Sequence, residues 1–111
     1  MGLNMEQVID FLLKNAGKYA KAKSERIFLD EFRRSKRALL MQEAELHGYE
    51  TSASQERQAF AHPEYIEVLK GLKEAVEVEE RLRWQLIAAQ AKIDIWRTNQ
   101  ANNRFIDKST T

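Results

Sequence analysis

The sequence predicts an all-α protein, an elongated antiparallel helical hairpin or coiled-coil bundle that assembles as a homo-oligomer, most simply a dimer. Three observations lead there. From Pro63 to about Asn102 the chain steps alternately three and four residues through Tyr65, Val68, Leu72, Ala75, Glu79, Leu82, Leu86, Ala89, Ile93 and Trp96. An apolar residue every 3.5 positions keeps one stripe facing a partner helix, where the 3.6 period of a straight helix would drift off it. Composition agrees: 43% hydrophobic and 32% charged residues, with one proline and four glycines, suit helices with solvated outer faces and leave little for strands. Finally, at ~1.5 Å per residue the helix from Pro63 is roughly 60 Å long, too long to be wrapped by the residues before it as a compact globule. Self-association supplies the missing burial.

The 111 residues read as a single helical domain. After a short lead, Met1 to Leu3, the pair Asn4 and Gln7 resembles a capping box and starts an opening helix over residues 4–16, with Met5, Val8, Ile9, Leu12 and Ala16 as its apolar face. Gly17 reads as a bend or break, because that stripe does not run smoothly into the next one, Phe28, Phe32, Ser35, Leu39, Gln42 and Leu46. This second arm covers residues 18–47 and ends at His47-Gly48, with the glycine as a left-handed cap. Residues 48–62 form the connection, with room for a short helix over Ser54 to Ala61. His62-Pro63 restarts the chain, since proline at the first helical position gives up no hydrogen bond, and Glu64 and Glu67 suit the positive helix start. The long helix covers residues 63–102, and residues 103–111 read as a frayed tail. In an antiparallel hairpin Phe28 to Leu46 lies beside Tyr65 to Leu82, and the opening helix lies beside Leu86 to Trp96.

Charge supports this pairing. Residues 14–37 hold nine Lys or Arg against Glu25, Asp30 and Glu31, and residues 64–80 hold six Glu against Lys70 and Lys73. Opposite charges flanking an apolar seam select one partner and orientation, even at about 0.3–0.5 kcal/mol for each exposed pair. The basic stretch is also the leading candidate for nucleic acid. Lys14, Lys18 and Lys21 share one helical face, Arg26, Arg33 and Arg37 another, and Arg34 and Lys36 lie beside them, so several could reach phosphates together. The bland reading is that they solvate the helix and pair with the acidic arm. Phe28 and Phe32 fall on the presumed core stripe, which weakens a base-stacking role.

Glu79 stands at a seam position that should be apolar, and a pairing with Arg33 or Arg37 would fix register. Trp96 is expected in the core. Trp84, with Ile87, Ala88, Ala91 and Ile95, gives the long helix a second apolar face, so Trp84, Ile87, Ala91, Ile95 and Trp96 are the candidate interface, taken by a second subunit or by another protein.

Without cysteine, disulfides and cysteine-based zinc sites are excluded. Glu77, Glu79 and Glu80 have no Glu-x-x-His pair near them, and His47 and His62 lie at opposite ends of the connection, so no metal or cofactor is expected. A glycine-rich phosphate loop, a nucleophile–base pair and a dinucleotide fingerprint are all lacking, and an enzyme is not expected. No apolar run approaches the ~20 residues of a membrane span, and the start has no signal-peptide block, so the expected location is the cytoplasm. The net charge of +1 leaves any attraction to nucleic acid to local patterning.

The runs His62-Pro63-Glu64-Tyr65, Leu82-Arg83-Trp84-Gln85-Leu86-Ile87-Ala88-Ala89-Gln90-Ala91 and Ile95-Trp96-Arg97 resemble small uncharacterised helical proteins of tailed bacteriophages and prophages. So does Phe32-Arg33-Arg34-Ser35-Lys36-Arg37-Ala38-Leu39-Leu40-Met41. The resemblance implies a small accessory factor in the host bacterial cytoplasm that acts on DNA or on a recombination or replication protein. It carries over no functional residues. The leading expectation is therefore a non-enzymatic accessory protein binding through the basic arm. The alternative is an assembly scaffold or an inhibitor of a host enzyme, binding through the Trp84 and Ile95 face. A secreted helical-hairpin effector is disfavoured, because the turn His47-Gly48-Tyr49 lacks the tryptophan that such families place before the glycine.

Overall fold

The computed structural model describes residues 4–110. They form three α-helices, α1 over Met5–Leu46, α2 over Ser52–Ala61 and α3 over Pro63–Thr110. The chain divides into two compact units: Lys21–Glu79, and Met1–Ala20 with Glu80–Thr111. Among the described residues no helix is long and apolar enough to cross a membrane.

α1 runs unbroken through Gly17, where a bend or break was expected. The reason lies in its inward line. Met5, Val8, Leu12, Asn15, Tyr19, Ala22, Arg26, Leu29, Arg33, Lys36 and Leu40 are all buried or half-buried, and they step by three and four without a phase change at the glycine. Nothing stands where a Gly17 side chain would project. The stripe through Phe28, Phe32, Ser35, Leu39, Gln42 and Leu46, expected in the core, faces solvent instead, with Phe28 63% exposed. Arginine and lysine stems occupy the seam in its place, their aliphatic carbons covered and their head groups paired. Phe28 and Phe32 stack on each other with ring centroids 5.8 Å apart.

The helix ends follow the sequence closely. Asn4 Oδ1 accepts from the Gln7 N–H at 3.2 Å, the Asn half of the capping box. Met1 to Leu3 lie outside the described residues. At the other end of α1, Gly48 takes φ 98°, the Tyr49 N–H donates to the Ala44 carbonyl at 3.1 Å and the Gly48 N–H to the Glu45 carbonyl at 3.1 Å. These two bonds make a Schellman motif. The connection is more ordered than a loop: Thr51 Oγ1 accepts from the Ser54 N–H at 3.1 Å and starts α2. His62 ends α2 and starts α3, its Nδ1 accepting from the Glu64 N–H at 3.1 Å, with Pro63 at the first helical position. α3 continues to Thr110 rather than stopping at residue 102, because no glycine or proline interrupts it and Lys108 in its last turn complements the negative helix end. Thr111, the end of the expected tail, lies outside the described residues.

In the Lys21–Glu79 unit, α1 and α3 run antiparallel, since Arg26 meets Glu79 while Lys36 meets Glu64. α2 covers the turn end, where Ala59, fully buried, packs with Leu40 and Tyr65 and is joined by Met41. Phe60 sets its ring edge against Tyr65 at 5.4 Å. The α3 seam read from the sequence is the buried one here: Tyr65 and Glu79 are buried and Val68, Leu72 and Ala75 half-buried. In the other unit Ala89 is buried, with Leu82, Leu86 and Ile93 half-buried. Trp96, expected in the core, stays 37% exposed.

The two glycines of α1 and its turn give opposite expectations. Gly17→Ala should stabilise by roughly 0.5–1 kcal/mol, because a helix-interior glycine in open space gains from the smaller entropy of an alanine chain. Gly48→Ala should destabilise by about 1 kcal/mol, since the left-handed conformation strains any Cβ. Urea denaturation of the two variants reads both signs, and a loss at Gly17 would contradict the continuous helix.

Candidate functional site

The basic residues of α1 separate into two groups. Arg26 reaches across the seam and grips Glu79 with both ends of its guanidinium, Nε to Oε2 at 2.6 Å and Nη2 to Oε1 at 3.0 Å. Glu79 is 6% exposed, and such a fork–fork pair supplies the donors its carboxylate needs away from water. The partner is therefore Arg26, and not Arg33 or Arg37 as the spacing suggested. Those two sit about two and three turns nearer the end of α1, where α3 presents Tyr65 and Glu64 and α2 presents Glu56 and Phe60.

Arg33 donates to Asp30 Oδ1 at 3.0 Å, and the Tyr65 hydroxyl, followed by Asp30, holds its guanidinium above its already high pKa. Lys36 Nζ lies 3.1 Å from Glu64 Oε2. That hydrogen bond, and then the lysine charge, hold the Glu64 carboxyl below the usual carboxylate range. Arg37 approaches Glu56 at 3.8 Å and lies over the Phe60 ring, 5.6 Å from its centroid. Four of the eight candidate phosphate ligands are thus occupied within the fold. Lys14, Lys18, Lys21 and Arg34 are exposed and carry no ion pair among the described residues.

The candidate interface lies in the unit formed by Met1–Ala20 and Glu80–Thr111. Trp84 is 58% exposed and Ile95 61%, with Ile87 and Ala91 also open to solvent. Arg83 lies over the Trp84 ring, 4.9 Å from the centroid, and pairs with Glu80 at 3.1 Å, so the indole is held in place by its own helix. Grooves flank the seam on both sides. One of about 450 Å³ is lined by Leu12, Leu13, Ala16, Tyr19, Arg83, Leu86, Ile87 and Gln90. The other, of about 480 Å³, is lined by Asn4, Gln7, Val8, Phe11, Gln85, Ala88, Ala89 and Lys92.

One grouping escaped the sequence. Glu43, His62 and Glu64 each bring a ligand atom within 4.8 Å of the others, at the turn end of the Lys21–Glu79 unit. His47 lines a cleft of about 120 Å³ that Glu43 and His62 also line. The two histidines had been set aside for lying at opposite ends of the connection, but a connection that folds back joins its ends. That geometry was the available signal.

No protein-family model, curated protein or solved structure matches the chain.

Arg26→Ala should cost roughly 2–4 kcal/mol, because it strands a buried carboxylate, with the partial exposure of Arg26 keeping the loss toward the lower end. Arg26→Lys should recover only part of it, since an ammonium cannot reproduce the fork. Thermal unfolding of both variants measures the difference, and a neutral Arg26→Ala would remove the pair from the forces that hold the fold.

Proposed function

We propose that this protein is a self-assembling helical interaction module, a scaffold or adaptor rather than an enzyme, whose first partner is a second copy of itself. One observation carries the reading. In the unit of Met1–Ala20 and Glu80–Thr111, Ala89 is the sole buried apolar residue among those described, while Ile9, Leu13, Trp84, Ile87, Ile95 and Phe105 are exposed. Two paired helices cannot hold against chain entropy with an alanine as their core.

The two grooves flanking the α1–α3 seam are where the helices of a second hairpin would lie in a four-helix bundle, and the half-buried Leu12, Leu86 and Ile93 would then become core.

A second reading keeps the basic arm. Lys14, Lys18, Lys21 and Arg34, exposed and without an ion pair, are the residues that remain for phosphates. On this reading the assembled protein is a cytoplasmic accessory factor of the kind the phage resemblance implies, acting on DNA or on a DNA-processing protein. Arg26, Arg33, Lys36 and Arg37 take no part in it.

Size exclusion with light scattering separates the two. The wild-type protein should run as a dimer or larger, unchanged between about 50 and 200 mM salt. Leu13→Glu combined with Ile87→Glu, two residues that line one of the grooves, should raise the dissociation constant at least about 30-fold. A wild-type monomer at all accessible concentrations would overturn self-assembly. A mass shift on adding short DNA, lost at high salt and in a Lys14, Lys18, Lys21 and Arg34 alanine variant, would establish the second reading.

A further inference from the structure

We propose that Glu43, His62 and Glu64 form a binding site for a divalent transition-metal cation of the zinc class at the turn end of the Lys21–Glu79 unit. The three side chains come from three different places in the chain: the last turn of α1, the junction of α2 with α3, and the first turn of α3. Their ligand atoms lie within 4.8 Å of one another, so a single ion placed among them reaches all three with small side-chain movements. One imidazole with two carboxylates is a borderline donor set that suits zinc, cobalt and nickel better than magnesium or calcium, which take oxygen alone.

The Glu64 N–H donates to His62 Nδ1, which in the neutral ring therefore carries a lone pair and no proton. A cation that takes this nitrogen displaces that hydrogen bond. His47 faces the adjoining cleft with its Nδ1 2.7 Å from the Glu43 carbonyl oxygen. In the tautomer where Nδ1–H donates to that carbonyl, His47 Nε2 is left bare, the arrangement by which proteins commonly orient a metal-binding histidine. His47 stands outside the three-residue cluster, at the cleft beside it. The ion also lies near the negative end of α1, whose last turn has no basic residue. Lys36, paired with Glu64 at 3.1 Å, is the one cation that must give way.

The chemical consequence is a clasp. A bound ion ties the end of α1 to the start of α3 across the connection, and stabilises the folded chain by mass action in proportion to its occupancy. It needs neither self-assembly nor the basic arm, so it stands or falls independently of the proposed function.

The test uses the full-length protein without a histidine tag. Titration with zinc should show one ion per chain and raise the unfolding temperature, and cobalt in its place should give the visible absorption of an imidazole–carboxylate complex. His62→Asn removes the imidazole while supplying a side chain that caps α3 equally well, and Glu43→Gln removes a carboxylate at constant shape. Each should weaken zinc binding at least about tenfold with the metal-free unfolding temperature held. Calcium and magnesium should not compete. Zinc binding that survives both substitutions, or that calcium displaces at equal concentration, would overturn the site, as would no binding up to roughly millimolar zinc.

Discussion

The Arg26–Glu79 pair sets the rotation of α1, and much else in the Lys21–Glu79 unit follows from that rotation. A carboxylate with 6% exposure at a seam position has to meet a donor, and the Arg26 fork on the facing helix reaches both of its oxygens. Once Arg26 points inward, Leu29, Arg33, Lys36 and Leu40 are carried inward with it by the helical period, and Phe28, Phe32 and Leu39 are carried out. The lysine and arginine heads then meet Glu64, Asp30, Tyr65 and Glu56.

How much of this could be read from the sequence depended on which side chains fill each seam. On α3 the inward residues from Tyr65 to Ile93 are apolar except for Glu79, so the 3.5-residue period was visible and the buried line coincides with it. On α1 the inward line holds Asn15, Arg26, Arg33 and Lys36, so the stronger apolar spacing belongs to the outward stripe through Phe28 and Leu39. The same stripe produced the expectation of a break at Gly17, since it is out of phase with the first while the inward line is not. Local chemistry was more legible. Asn4, Gly48 and Pro63 each took the role their residue type implies, because capping is decided within a few residues. The juxtaposition of Glu43 with His62 was out of reach, because it depends on how α2 folds the connection back.

The two units differ in how they satisfy their own side chains. Lys21–Glu79 has a small core of Leu40, Ala59 and Tyr65, cross-helix ion pairs, and a third helix over its end. In the other unit Asn15, 9% exposed, bonds back to the Phe11 carbonyl of its own helix at 2.8 Å and so makes no demand on the opposing helix. Leu12, Leu82, Leu86 and Ile93, which face those helices' seam, stay only half-buried. The larger buried set lies in Lys21–Glu79, and the exposed Trp84 and Ile95 lie in the other unit.

The Schellman turn at Gly48 and the short α2 also bear on the order in which the chain folds. Leu40 and Tyr65 stand close to the connection on either side of it, whereas Arg26 and Glu79 are 53 residues apart and Val8 and Lys92 further still. Each doubling of the loop to be closed adds only about 0.6 kcal/mol, but the first closure also fixes the axis for every later one. Closure entropy therefore favours the contacts beside Gly48, among Leu40, Ala59 and Tyr65, over those that join more distant stretches of the chain.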